Sequence, residues 1–209
     1  MTIGNYGDLK TSVQDYLNRA DLAAYIPNFV RIAERRIHYG SAAPMDSQPV
    51  RVPAMQAQTT GTISNSAISF PTGFLETILL RITGNGRSWQ AEYADHGTYT
   101  AYTNSGSPPT VYICLNNAIQ VAGTGGGTYT LDYYKAFDSL TADKDTNWLL
   151  TNAPDVYLFG ALLESAPFIS DLQMVQGWYS MFKSAVNSVN RITMKPGPGA
   201  LRVRTDTVV

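Results

Sequence analysis

Two histidines, one cysteine, a group of aspartates and a glycine-rich run are the residues of this chain that could do chemistry. His38 follows Arg35 and Arg36 in a helical pattern, and its spacing predicts a place on the polar face. His96 follows Asp95 in a segment that reads as a short helix or a loop. An Asp-His pair adjacent in sequence lacks the third group that would orient it as a general base. No serine lies in a nucleophile-elbow pattern, and no HExxH or CxxC pair occurs. Cys114 lies in TVYICL, a β-branched run that predicts a small core residue rather than a nucleophile.

AGTGGGTY, from Ala122 to Tyr129, has the glycines of a phosphate loop. It lacks the Lys-Ser/Thr that would touch phosphate and metal, and the residues after it predict a strand rather than a helix. A hairpin loop is the expectation. Asp132, Asp138, Asp143 and Asp145 cluster without the alternating oxygen ligands and closing Glu of a calcium loop, so a solvated loop is expected. These patterns predict no catalytic residue, no metal site, no cofactor, and a protein that is not an enzyme.

The elements that would position such residues follow from periodicity. Near the N-terminus two helices are expected. Asp8 can cap the first, which carries Leu9, Val13, Tyr16 and Leu17 on one face. The second, LAAYIPNFVRIAERRIHYG, has Val30, Ala33 and Ile37 as a stripe, widened by Phe29 and Ile32. Arg31, Glu34, Arg35 and His38 fall on the other side. Pro27 suits a first turn or splits the segment in two, and Gly40 is a stop. From Pro49 to about Lys135 the period shortens to two, in RVPAMQAQ, AISF, ETILLRIT, RSWQAEY, TVYICL and TYTLDYYKA. Gly84-Asn85-Gly86 and Asn116-Asn117 read as hairpin turns.

Helices then return. TNAPDVYLFGALLESAP offers Thr151 or Asn152 as a cap, with Pro154 and Asp155 in its first turn. Ser170 and Gln173 have capping-box spacing ahead of a stripe of Leu172, Val175, Tyr179, Phe182, Val186 and Val189. The expected fold is α+β. A four-helix bundle, built from 1–46 and 139–193, carries an inserted antiparallel β-barrel or sandwich at 47–138, and 194–209 form an extended C-terminal arm.

VYLFGALLESA is nearly uncharged, and a helix apolar on all sides is buried on most of them. Either it is the central helix of a single-chain core, or a second copy covers Tyr157, Phe159, Gly160, Ala161 and Leu163. At 209 residues a sizeable core is possible. A net charge of −1 gives no general electrostatic case for gripping nucleic acid. No stretch approaches the about 18 apolar residues that span a bilayer. MTIGNYGDLK has neither the basic start nor the apolar middle of a signal peptide, which predicts a chain kept in the cytosol until an assembly leaves it.

Two stretches, DLAAYIPNFVRIAERRIHY and NWLLTNAPDVYLFGALLESAPF, resemble the head-to-tail adaptor (connector) proteins of tailed bacteriophages, of the short-tailed type. ISFPTGFLETILLRI, GSPPTVYICLNNAIQV, YTLDYYKAFDSL and the closing LRVRTDT follow in the order of that family, so the resemblance covers most of the chain. The Gly123–Gly127 loop and the NSGSPP stretch depart from it. The resemblance implies a structural subunit of the virion neck, assembled in the host cytoplasm. It implies a ring of about a dozen copies, a dodecamer, docked beneath the portal protein. Its partners would be the portal, copies of itself and the next tail protein (nozzle or tube), with DNA only as passing cargo and no membrane. Leu201, Arg202, Val203 and Arg204 alternate apolar and basic side chains after a Pro-Gly segment. On this reading they form a docking arm, on the portal or on a neighbour's sheet edge. Competing readings are another virion part, such as a stopper or minor tail protein, and a glycan-binding β module with Trp89, Tyr93, Tyr99 and Tyr102 as its platform.

Overall fold

The computed structural model describes residues 2–42, 45–103, 106–123 and 127–193. Within them, helices open and close the chain and a sheet lies between. The N-terminal part holds α1 (Tyr6–Leu17), a 3-10 segment (Ala20–Tyr25) and α2 (Ile26–Tyr39). Asn5 caps α1, accepting from the Asp8 amide at 2.9 Å, while the Asp8 carboxylate accepts from Gly4. Asn5 is therefore the cap, and Asp8, in the first turn, secures the residue ahead of it rather than capping the helix itself. Pro27 stands in the first turn of α2, and the split it threatened falls just before it, where 3-10 geometry gives way to α.

The strands are β1 (Gln56–Thr62), β2 (Ala67–Ser69), β3 (Phe74–Gly84), β4 (Arg87–Tyr93), β5 (Val111–Leu115), β6 (Ala118–Ala122) and β7 (Thr128–Lys135). They make one nearly closed, barrel-like sheet in the order β1-β7-β3-β4-β5-β6-β2. Asn85-Gly86 and Asn116-Asn117 turn the β3–β4 and β5–β6 hairpins, each with both residues at positive φ. The sheet is not purely antiparallel, contrary to expectation. β4 and β5 pair parallel, Glu92 to Val111 and Tyr93 to Tyr112, because the chain crosses over through α3 (His96–Thr103) before returning. Ile68, Leu80, Ile82, Ile119 and Leu131 fill the interior of the sheet.

α4 (Trp148–Asn152), α5 (Pro154–Glu164) and α6 (Leu172–Thr193) complete the helical part. Asn147 caps α4 and Ala153 breaks it from α5, so neither Thr151 nor Asn152 is the cap. Asp171, not Ser170, caps α6, its carboxylate accepting from the Met174 amide at 3.0 Å. α5 packs against α1, α2, α4 and α6. The stripe expected on α6 is buried at Val175, Phe182, Val186 and Val189, with Trp178 and Ala185 added, but Leu172 is 75% exposed.

Buried polar contacts bind the helices to the sheet. His38 Nε2 accepts from the Phe137 amide at 3.2 Å, and Glu34 Oε1 accepts from the Leu140 amide at 3.0 Å. Both residues therefore face the core, not the polar side of α2 as the spacing suggested. They satisfy the backbone of the segment that leads from β7 back to the helices, which would otherwise bury unpaired N–H groups. Arg51 reaches Glu76 on β3 at 3.0 Å and the His38 carbonyl at 2.9 Å, with its guanidinium over the Tyr134 ring.

Burial, and secondarily the Arg51 cation, hold the His38 imidazole down to about 4. An unfolded chain binds this proton at about 6.5, so the folded state binds fewer protons between those values and stability falls as pH falls. The expected loss on going from pH 7 to below 4 is about 3 kcal/mol from this residue. Burial raises Glu34 above its ordinary value, which acts in the opposite direction over its own range. His38→Gln keeps an acceptor for Phe137 and removes the titration. Chemical denaturation across pH 7 to 4 is expected to show a flatter slope in that variant than in the parent chain.

Candidate assembly interface

Asp95 and Asp145, two of the residues considered for chemistry, have structural duties. Asp95 accepts from the Gly97 and Thr98 amides at 2.8 and 3.1 Å and from the Thr98 hydroxyl at 2.7 Å. Those bonds, the Thr98 hydroxyl foremost, hold its carboxyl below the usual range and make it the cap of α3 rather than a partner of His96. Cys114 is exposed on β5, and partial burial of the sulfur pushes its thiol up, away from nucleophilic activation. Asp145 accepts from Thr141 and Ala142 and shapes their turn. Its carbonyl and that of Asp143 accept from the first-turn amides of Tyr6 and Gly7, each at 2.9 Å, so this acidic loop is the seat of α1 rather than a merely solvated connection. Among the described residues no group of three His, Cys, Asp or Glu could hold a metal, and no helix is long and apolar enough to cross a membrane.

The residues expected at a subunit contact divide. Tyr157, Gly160, Ala161 and Leu163 are buried within the single chain, so they offer no surface to a second copy. The Tyr157 hydroxyl accepts from Asn147 Nδ2 at 2.8 Å. A Cβ built on Gly160 would stand 3.1 Å from Ala33 Cβ and 3.2 Å from Phe182 Cε2, so the close approach anticipated there is to α2 and α6. Glu164, the lone charge toward the end of α5, is paired with Arg36 at 2.6 Å. Of the five, only Phe159 keeps partial exposure. Leu201, Arg202, Val203 and Arg204 lie outside the described residues. Trp89, Tyr99 and Tyr102 are half-buried and Tyr93 is 68% exposed.

Exposed apolar surface lies elsewhere. Along α2, Ile32 and Tyr39 face solvent, with Tyr25 just ahead of the helix and Phe168 just after α5. Phe168 packs at 5.6 Å from the rings of both Tyr25 and Phe29, joining the two segments into one strip. Arg31 and Arg35 are exposed on the same helix. α6 offers a second face with Leu172, Met174 and Met181 exposed. A Cβ on Gly177 would meet nothing within 4 Å. Periodicity alone places Ile32 and Leu172 in core stripes. Their hydrophobicity was legible, but its direction was not.

A helical body joined to a barrel-like sheet, with aromatic, arginine-bearing and methionine-bearing helix faces turned outward, has the make-up of a contact-making structural protein. The model of the SU10 adaptor protein family matches residues 4–204, nearly the whole chain, and the chain belongs to that family. It is a structural head–tail adaptor of a phage, a component of the virion that works among other head and tail components. Comparison with curated proteins gave no match.

Proposed function

We propose that copies of this chain close into a ring, a dodecamer, that docks beneath the portal, continues the DNA channel and gives the next tail protein (nozzle or tube) its platform. The observation that carries this reading is the strip of Tyr25, Ile32, Tyr39 and Phe168 beside Arg31 and Arg35. Tyr, Phe and Arg are the residues that protein contacts concentrate at their centres. Phe159 is the member of α5 that can still join such a contact. The arm at Leu201, Arg202, Val203 and Arg204 extends contacts beyond the subunit body, on the portal or on the next copy. DNA is cargo rather than ligand, since a net charge of −1 suits a duplex that must slide. Assembly takes place in the host cytoplasm, with subunits separate until a portal ring templates them. The test is whether purified chain adds to purified portal rings. A ring's worth of added mass supports the reading, and unchanged portal mass overturns it.

A further inference from the structure

The sheet ends on two unequal edges. β2 has three residues, too few to template another strand. β1 has seven, and among the described residues it pairs on one side only, with β7. Its sequence, QAQTTGT, has no charge and no proline, the devices that ordinarily protect a long edge. Gln56, Gln58, Thr60 and Thr62 are exposed, while Ala57, Thr59 and Gly61 are half-buried. An added strand would find the same alternation to match.

A second observation lies at the foot of this edge. Asn190, near the end of α6, accepts from the Arg51 amide at 2.9 Å and donates to the Pro49 carbonyl at 3.0 Å. A groove of about 460 Å³ runs there, lined by Pro49, Arg51, Pro53, Gln56, Tyr134 and Asn190 among others. The chain therefore leaves α6 beside the first residue of β1. Residues 194–200 follow, with Pro196 and Pro198, and then Leu201-Arg202-Val203-Arg204-Thr205 alternates with period two. At polyproline extension, seven residues would span about 22 Å. Seven strand residues span about 23 Å. A lead of that length starting at the foot of β1 would bring Leu201 to the far end of its own edge, which would leave residues 201–205 beyond it.

We propose that the open edge of β1 accepts residues 201–205 of a second copy as an added strand. The inference rests on the ring reading above. In a ring each copy donates one arm and accepts one, a head-to-tail contact closed by rotation, and no β1 edge is left open. The apolar side chains of Leu201 and Val203 would face the sheet interior beside Thr59 and Gly61, with Arg202 and Arg204 outward.

The test uses the full chain with Cys114→Ser, Thr60→Cys and Arg202→Cys, both new cysteines on the outward side of the sheet, added to portal rings, oxidised and run without reductant, with particle mass read on the same sample. The expected result is assembled rings in which more than half of the chains run as disulfide-linked dimers and higher multiples. Neither single-cysteine variant is expected to give that ladder. An intrachain disulfide would place the arm on its own β1 and overturn the proposal. Unreacted thiols in rings of full mass would overturn it while leaving the ring reading intact, the outcome expected if the portal captures the arm. Unchanged portal mass would remove the ring reading, and the proposal with it.

Discussion

Replacing Tyr157 with Ala is expected to lower the stability of the isolated chain by about 4 kcal/mol, within the range for deleting a large buried ring. Tyr157 is fully buried on α5, the helix that touches α1, α2, α4 and α6. Truncation leaves a hole at that junction, and a close-packed surround refills it only in part. It also removes the hydroxyl that accepts from Asn147, the cap of α4. For a chain of this size the change corresponds to about 10 °C in Tm. Tyr157→Phe keeps the ring and loses only the hydrogen bond, at about 1 kcal/mol, because Asn147 Nδ2 also donates to the Asp138 carbonyl at 2.9 Å. Thermal unfolding of the chain without portal checks both. An Ala variant that melts within about 2 °C of the parent would mean that α5 is not the centre of the subunit and would return it to a contact between copies.

Gly160→Val is expected to destabilise by about 3 kcal/mol, the upper part of the overpacking range. A single Cβ at this position already stands 3.1 Å from Ala33 and 3.2 Å from Phe182, closer than ordinary van der Waals contact. Two further methyl groups have to displace α2 or the Phe182 ring, and Phe182 is itself buried. Gly160→Ala sets a similar clash of one atom against the gain of about 1 kcal/mol from replacing a mid-helix glycine, so its net effect is small. Urea unfolding of the two variants separates the contributions. Equal stability of the Val variant and the parent would contradict the close packing of α5 between α2 and α6.

These two residues show what the sequence could and could not convey. VYLFGALLESA declared a buried helix through its lack of charge, and Gly160 declared a close approach. Neither could say whether the covering surface belonged to the same chain. The answer depended on α1, α2 and α6 converging on one helix, which local periodicity does not encode. His38 and Glu34 read as outward-facing because they share a turn with arginines. Their burial is decided by Phe137 and Leu140, 99 and 106 residues further on. The hairpins were readable because Asn-Gly and Asn-Asn tolerate positive φ. The parallel β4–β5 pair was not, because a crossover and a hairpin can join strands of identical pattern.

Caps show the same limit at smaller scale. The polar residues that read as caps, Asp8, Thr151 or Asn152, and Ser170, give way to Asn5, Asn147 and Asp171, because the helix start that selects a cap is fixed by packing. The exposed strip on α2 and Phe168 was hidden for a related reason. Its residues come from segments far apart in sequence, and only the ring contacts of Phe168 with Tyr25 and Phe29 bring them together. The family resemblance is legible through the order of its motifs, and the match over residues 4–204 agrees with it at the level of a phage head–tail adaptor.

The measurement that bears most directly on the proposed function is particle mass by light scattering, for the chain alone and after mixing with portal rings from the same virus. The expected result is a small particle alone and, with portal, a gain of about a dozen copies of the 22.8 kDa chain, about 270 kDa per portal ring. Portal rings that keep their own mass beside a chain that stays small would contradict it.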